Sequence, residues 1–246
     1  MRRTSRWLLA ACLAAGAWNG ALAGPPFLTD DPEPVDYGHN EFYAFTTLDR
    51  LPDGKLLQMP AFEYNGGIFP EMQFHIIVSG ARFIPAMGLA GSGLGDTEIG
   101  IKYRFVQETD DRPEIGIFPM IEAPTGSASR GTGNGQAWYR LPVWLQKNWG
   151  PWTSYGGAGY AINHAPGMHS YRFAGWLLQK QLNDSWTLGG ELFSQGSIMQ
   201  GVAGSTLLNA GGYYNFDPNF SLLFSAGHSI AGASQTFGYL GLYWTW

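Results

Sequence analysis

Apolar and polar residues alternate along most of the chain after residue 40, with the two-residue period of a β-strand. The segment "DTEIGIKYRF" shows the pattern most clearly. One face carries Thr97, Ile99, Ile101, Tyr103 and Phe105, and the other carries Asp96, Glu98, Gly100, Lys102 and Arg104. Twelve such segments follow one another, beginning at Glu41, Leu56, Met72, Asp96, Ile115, Ala137, Trp152, Tyr171, Trp186, Leu207, Phe220 and Phe237. The pattern predicts an antiparallel sheet with an even number of strands.

Short polar turns alternate with longer Gly- and Ser-rich loops, such as "AMGLAGSGLG" and "TGSASRGTGNGQ". Charged residues make up 13% of the chain, too few to cover a water-exposed surface. A soluble β-sandwich, the alternative, would need far more Lys and Glu on its outer face. No apolar run after the N-terminus is long enough for a membrane helix. We therefore predict an all-β, transmembrane, antiparallel up-and-down β-barrel of about 12 strands over residues 41–246.

The N-terminus predicts export. Residues 1–23 begin with arginines, continue through a short apolar stretch and end on Ala21-Leu22-Ala23, the pattern of a cleaved signal peptide. A membrane helix would need a longer run, and "LAAC" before Cys12 follows too short a stretch for a lipoprotein signal. Residues 24–40, rich in Pro and Asp, predict a periplasmic or lumenal leader without regular structure. The expected location is the outer membrane of a Gram-negative bacterium.

Composition excludes several classes of partner. Cleavage would remove the only cysteine and three arginines, leaving 11 basic against 19 acidic residues. Such a chain has no basic surplus for phosphates, so we expect no nucleic-acid partner. We also expect no cofactor and no metal site.

Strand parity places several ionisable side chains on the face that turns away from lipid. We interpret them as lumen-lining candidates: Glu63, His75, Glu98, Lys102, Arg104, Glu122, Arg140 and Glu191. Opposite charges in a narrow lumen would select solutes electrostatically. Alternatively, the same charges would pair with one another and stabilise a closed interior. The segment from Tyr171 is ambiguous, because either parity turns some apolar residues inward.

The last strand ends in aromatic residues. Trp244 and Trp246 share a face with Leu240 and Leu242, so we expect the two tryptophans at the membrane interface, in contact with outer-membrane lipid. Similarity to other outer-membrane barrels implies that this strand also contacts the barrel-assembly machinery.

Several segments together resemble the MetA-pathway of phenol degradation family of bacterial outer-membrane proteins. They are "PPFLTDDPEPVDYGHNEFYAF", "GLGDTEIGIKYRFVQE", "IGIFPMIEAPTG", "LPVWLQKNWGPWTSYGGAGY" and "GGELFSQ". The resemblance covers nearly the whole mature chain. It implies a porin-like channel for small compounds, aromatic or hydrophobic ones among them, with a substrate that the sequence does not identify. It supplies no catalytic residues.

Two other functions stay open. An outer-membrane lipid-modifying enzyme would use Ser and His near the loops, but His228 and Ser229 are adjacent and point to opposite faces, which leaves Ser234 as the nearest partner in sequence. A structural barrel without transport is the other alternative. His164 and His169 flank one loop without a further ligand, and "GSGLGD" and "RGTGNG" lack the lysine and following helix of a phosphate-binding loop.

Overall fold

The fold was determined as a computed structural model that describes residues 25–246. The predicted signal peptide, residues 1–23 with Cys12, lies outside the described residues. The described chain forms fourteen strand segments and one short 3₁₀ turn, Ala128–Arg130. The strands are β1 (Asn40–Leu51), β2 (Gly54–Phe69), β3 (Met72–Pro85), β4 (Gly91–Leu94), β5 (Thr97–Val106), β6 (Glu114–Ile117), β7 (Met120–Ala123), β8 (Trp138–Trp149), β9 (Trp152–Ile162), β10 (Tyr171–Gln181), β11 (Trp186–Gln195), β12 (Ser205–Asp217), β13 (Phe220–Gly232) and β14 (Thr236–Thr245).

The strands close into a barrel, as predicted. Each wall strand pairs antiparallel with the next, and β1 pairs with β14 from Glu41 opposite Thr245 to Arg50 opposite Thr236. β6 and β7 both pair with β5 and β8, so they are two halves of one wall strand. β4 pairs with β3 alone and is additional to the wall. The wall therefore has twelve strands, with no unpaired sheet edge.

Exposure alternates along the strands and separates an outer from an inner face. The outer face exposes large apolar side chains, among them Phe105, Leu141, Val143, Leu145, Trp176, Leu192, Leu208 and Leu240. Their inward neighbours are buried and many are polar. An apolar belt of this extent is stable in contact with hydrocarbon and unfavourable in water.

Two local predictions were wrong. The segment "AMGLAGSGLG" was expected to be a flexible loop, but it contains β4, whose residues Gly91–Leu94 pair with β3. The segment from Ile115 was expected to be one strand, but it breaks at Phe118 and Pro119. Proline has no N–H for the ladder. The Pro119 carbonyl still accepts a hydrogen bond of 3.2 Å from the Ile101 N–H, which keeps the two halves in line.

The two ends of the barrel differ. One end carries Asn40, Trp246 and the short turns, and we call it the short-turn end; the other, the loop end, carries the longer connections. Within residues 25–246, no helix has the length and apolarity needed to cross a membrane.

Closure predicts resistance to detergent. Because the strand ladder leaves no free edge, the folded barrel should survive in sodium dodecyl sulfate at room temperature and unfold only on heating. Unheated protein should therefore migrate faster on a gel than boiled protein. Identical migration of both samples would contradict a closed barrel.

Candidate functional site

The leader crosses the space enclosed by the wall. Its backbone groups at Pro26, Thr29 and Val35 are hydrogen-bonded to side chains of three strands: Ser225 on β13, Glu191 on β11 and Gln73 on β3. The bond from the Val35 N–H to Gln73 Oε1 is 2.8 Å. Since β3 lies opposite β11 in the twelve-stranded wall, a segment that binds both strands must run across the interior.

The wall makes room for the leader with glycine. A Cβ atom at Gly175 on β10 would collide with the Thr29 side chain, and one at Gly67 on β2 would collide with the Asp36 carbonyl. The leader is therefore in direct contact with the wall backbone at these two positions.

Lys102 on β5 holds the leader by charge. Its Nζ atom lies 3.0 Å from Asp30 Oδ1 and 3.2 Å from Asp31 Oδ2. The Lys102 and Asp31 side chains are 5% and 0% exposed, so water does not screen this contact. Removing one partner of an ion pair at this depth would leave the other charge buried and uncompensated, which is strongly destabilising.

Arg104 forms a second ionic contact toward the short-turn end. Its Nε atom lies 2.5 Å from Glu71 Oε2, and its Nη1 atom lies 2.6 Å from Glu114 Oε2 and 3.9 Å from Glu33 Oε1 of the leader. The Gln146 side chain donates a further hydrogen bond of 3.1 Å to Glu33. Arg104 thus joins three carboxylates, one of them from the leader.

Five of the predicted residues meet in a third cluster, nearer the loop end. His75 lies between Glu63 and Glu98, with ring nitrogen to carboxylate oxygen distances of 3.5 and 2.9 Å. Arg140 pairs with Glu98 and lies 3.7 Å from Glu122 Oε1. The three clusters leave Glu191 apart on β11, where it accepts hydrogen bonds from the Thr29 N–H and from Asn209.

All eight candidate residues therefore lie on the inner face, in closed networks of ion pairs and hydrogen bonds. Their participation in selecting a solute stays a prediction, because the contacts establish only position and pairing.

The leader also has apolar contacts with the wall. Phe27 packs on Tyr155 and Leu177, and Leu28 packs on an aromatic cluster that contains Phe118, Trp144, Phe173 and Phe193. The parity of β10, which the sequence left ambiguous, turns Phe173 and Leu177 inward. Both can be buried there because the leader covers this part of the lumen.

Asp30, Asp31 and Glu33 of the leader were not predicted as partners of Lys102 and Arg104. Two signals pointed to them. The leader has four acidic residues and no Lys or Arg, and the inward face of β10 is apolar from Phe173 to Leu177, which an open aqueous lumen would not favour.

The C-terminal tryptophans occupy the short-turn end. Trp244 stacks on Phe220 on the outer face, with ring centroids 4.8 Å apart. Trp246 is 59% exposed, and its backbone exchanges two hydrogen bonds with Asn40. The contact of these rings with lipid stays a prediction.

Two further histidines of the described chain are hydrogen-bonded to hydroxyl groups. His228 is hydrogen-bonded to Thr236 at 2.9 Å, while the Ser229 hydroxyl accepts a hydrogen bond from the Gln235 N–H. His169 is hydrogen-bonded to Ser197. Among residues 25–246, no group of three or more His, Cys, Asp or Glu side chains could hold a metal ion.

The sequence profile of a family described as "Putative MetA-pathway of phenol degradation" matches residues 66–246. A comparison with curated protein sequences found no match.

Several solved structures have a similar fold. An outer-membrane channel from Pseudomonas putida F1 superposes with a TM-score of 0.70 at 13% identity, covering 88% of this chain and 98% of that one. The KdgM porin in complex with disordered oligogalacturonate gives 0.56 at 14% identity, covering 83% and 98%. The translocator domain of the autotransporter NalP from Neisseria meningitidis gives 0.56 at 12% identity, covering 85% and 89%. Identities this low establish the fold alone.

Proposed function

The chain belongs to the MetA-pathway of phenol degradation family, and on that premise we propose that it is an outer-membrane channel for small compounds, aromatic or hydrophobic ones among them. The short-turn end would face the periplasm and the loop end the exterior. The channel of Pseudomonas putida and the KdgM porin, whose folds are similar, support this function.

The observation that carries the proposal is the aromatic cluster inside the barrel, on the loop-end side of Thr29. Phe173 lies two residues closer to the loop end of β10 than Gly175, the residue that Thr29 contacts. Phe173 and Phe193 stack with ring centroids 6.3 Å apart, and Leu28 of the leader packs against them. Because Leu28 covers this surface, an aromatic solute entering from the loop end would reach the rings once Leu28 withdraws.

Transport then requires movement of the leader, because the leader occupies the path through the barrel. The ionic contacts at Lys102 and Arg104 hold the closed state, and the aromatic cluster would receive the solute when Leu28 withdraws. A structural barrel without transport would have the same closed interior, so an experiment must separate the two functions.

A disulfide between leader and wall provides that experiment. Cys12 is the only natural cysteine and lies in the predicted signal peptide, so Thr29→Cys with Gly175→Cys would supply the only thiols of the mature chain. A Cβ at position 175 would lie 2.9 Å from Thr29 Cβ, close enough for a bond after a small shift. We expect single-channel conductance and uptake of a small aromatic compound into proteoliposomes to stop on oxidation and return with dithiothreitol.

The single variant Thr29→Cys is the control, and its conductance should not respond to oxidation. Equal activity of the oxidised and reduced double variant would show that transport does not require movement of the leader away from Gly175. No conductance and no uptake under any condition, wild type included, would overturn the channel function in favour of a structural barrel.

A further inference from the structure

A cavity of about 380 Å³ opens on the outer face of the barrel, over β8, β9 and β10. Its walls include Leu145 and Trp149 on one side and Trp176 on the other, and all three side chains are exposed. Ser154 and Gly156 of β9 lie between these walls. The cavity is thus a groove in the surface that faces hydrocarbon, separate from the interior site.

The groove is a fixed feature of the wall. The Trp176 Nε1–H donates a hydrogen bond of 2.8 Å to the Ser154 hydroxyl, which donates one of 3.0 Å to the Leu177 carbonyl. A Cβ atom at Gly156 would lie 2.6 Å from the Gly175 carbonyl, so the floor admits no larger residue. The indole ring and the floor keep the groove open without a ligand.

A cation lies beside the groove, in the row of the sheet that contains Trp149 of its wall and Trp152. Lys180 is opposite Trp152 in the sheet, and its Nζ atom lies 5.0 Å from the centroid of the Trp152 ring. None of the ion pairs formed by residues 25–246 includes Lys180. Lys147, the other cation beside the groove, is already paired with Glu108 at 2.7 Å. Lys180 is therefore available to an anionic ligand.

We propose that this groove binds one anionic phospholipid of the periplasmic leaflet, with its phosphate at Lys180 and an acyl chain along Ser154 and Gly156. Lys180 and Trp176 are four residues apart on β10, which is about 13 Å along the strand. This is the separation between a headgroup at the aromatic girdle and an acyl chain within the hydrocarbon layer. The proposal rests on the outer-membrane location in the proposed function.

Charge favours a lipid with a net negative headgroup. A basic residue at a membrane surface attracts anionic lipid by about fivefold relative to a neutral headgroup. The flanking tryptophans suit the interfacial depth, and a groove that opens to hydrocarbon suits an acyl chain.

The test compares brominated phosphatidylglycerol with brominated phosphatidylcholine as quenchers of tryptophan fluorescence, using the full mature protein in vesicles of each composition. We expect stronger quenching by phosphatidylglycerol, and a loss of about fivefold in this preference in Lys180→Gln. Lys55→Gln, in the exposed hairpin at the loop end, is the matched control and should keep the preference. Trp176→Phe should reduce the preferentially quenched fluorescence, and the remainder should come from Trp149 and Trp152 beside the same groove.

Gel migration with and without heating checks that every variant is folded. Equal quenching by the two lipids in the wild type would indicate only general contact with the bilayer and would overturn the proposal. So would an unchanged preference in Lys180→Gln, or a wild-type dimer whose interface covers Trp176. Conductance is measured separately: if the channel function fails while the lipid preference is retained, the lipid site stands.

Discussion

Lys102→Met is expected to raise the conductance of the purified barrel. The substitution keeps the length of the side chain but leaves Asp30 and Asp31 without their cation, at a depth where the Asp31 side chain has no exposed surface. Breaking a buried ion pair costs about 3–5 kcal/mol. Since about 1.4 kcal/mol is a factor of ten, the equilibrium between bound and released leader should shift by roughly two to three and a half orders of magnitude.

Single-channel recording in a planar bilayer measures this effect, and labelling of Thr29→Cys with a maleimide measures release of the leader independently. The matched control is Lys55→Met, which removes an exposed lysine from the loop-end hairpin and should change neither quantity. A folded Lys102→Met protein with unchanged conductance and an unlabelled cysteine would contradict the assigned function of this ion pair.

Arg104→Glu is expected to lower the stability of the barrel by several kcal/mol. The substitution replaces the one cation that joins Glu33, Glu71 and Glu114 with a fourth carboxylate. Because the Arg104 side chain is 18% exposed and Glu114 is buried, water offsets only part of the resulting repulsion. The midpoint of thermal unfolding, followed by gel migration, should fall clearly below that of the wild type.

Arg50→Glu is the control for this charge reversal, because Arg50 is exposed and forms no ion pair among the described residues. Its midpoint should remain close to the wild-type value. A shift of ion selectivity toward cations in Arg104→Glu, with no loss of stability, would instead indicate that Arg104 lines an open path.

The barrel could be predicted because each wall strand follows a two-residue period that depends on its own sequence. β5 is an example: the parity that separates Ile99 and Tyr103 from Glu98 and Lys102 is also the parity of burial. The same rule could not predict β4 or the break at Pro119. β4 pairs with the loop-end part of β3, which extends past the end of β5. A strand that depends on a neighbouring strand in this way is not visible in a local sequence pattern.

The position of the candidate site residues was predictable, but their partners were not. The alternation of residues along β5 assigns Lys102 and Arg104 to the inner face, but it does not show how far either side chain lies from a partner. Their closest partners are between 10 and 72 residues away in sequence, and two of them belong to a leader without periodicity. Contacts of that kind depend on the three-dimensional path of an irregular segment, which Pro and Asp content alone does not define.

The enclosed leader also has a consequence for the order of folding. Its residues precede β1, whose pairing with β14 joins the first strand to the last and can form only after the whole chain is available. Until the leader is enclosed, Lys102 and Glu191 lack the partners that they have in the finished barrel. The leader, although it is synthesised before every strand, therefore acquires its full set of contacts only once β13, which supplies Ser225, is available.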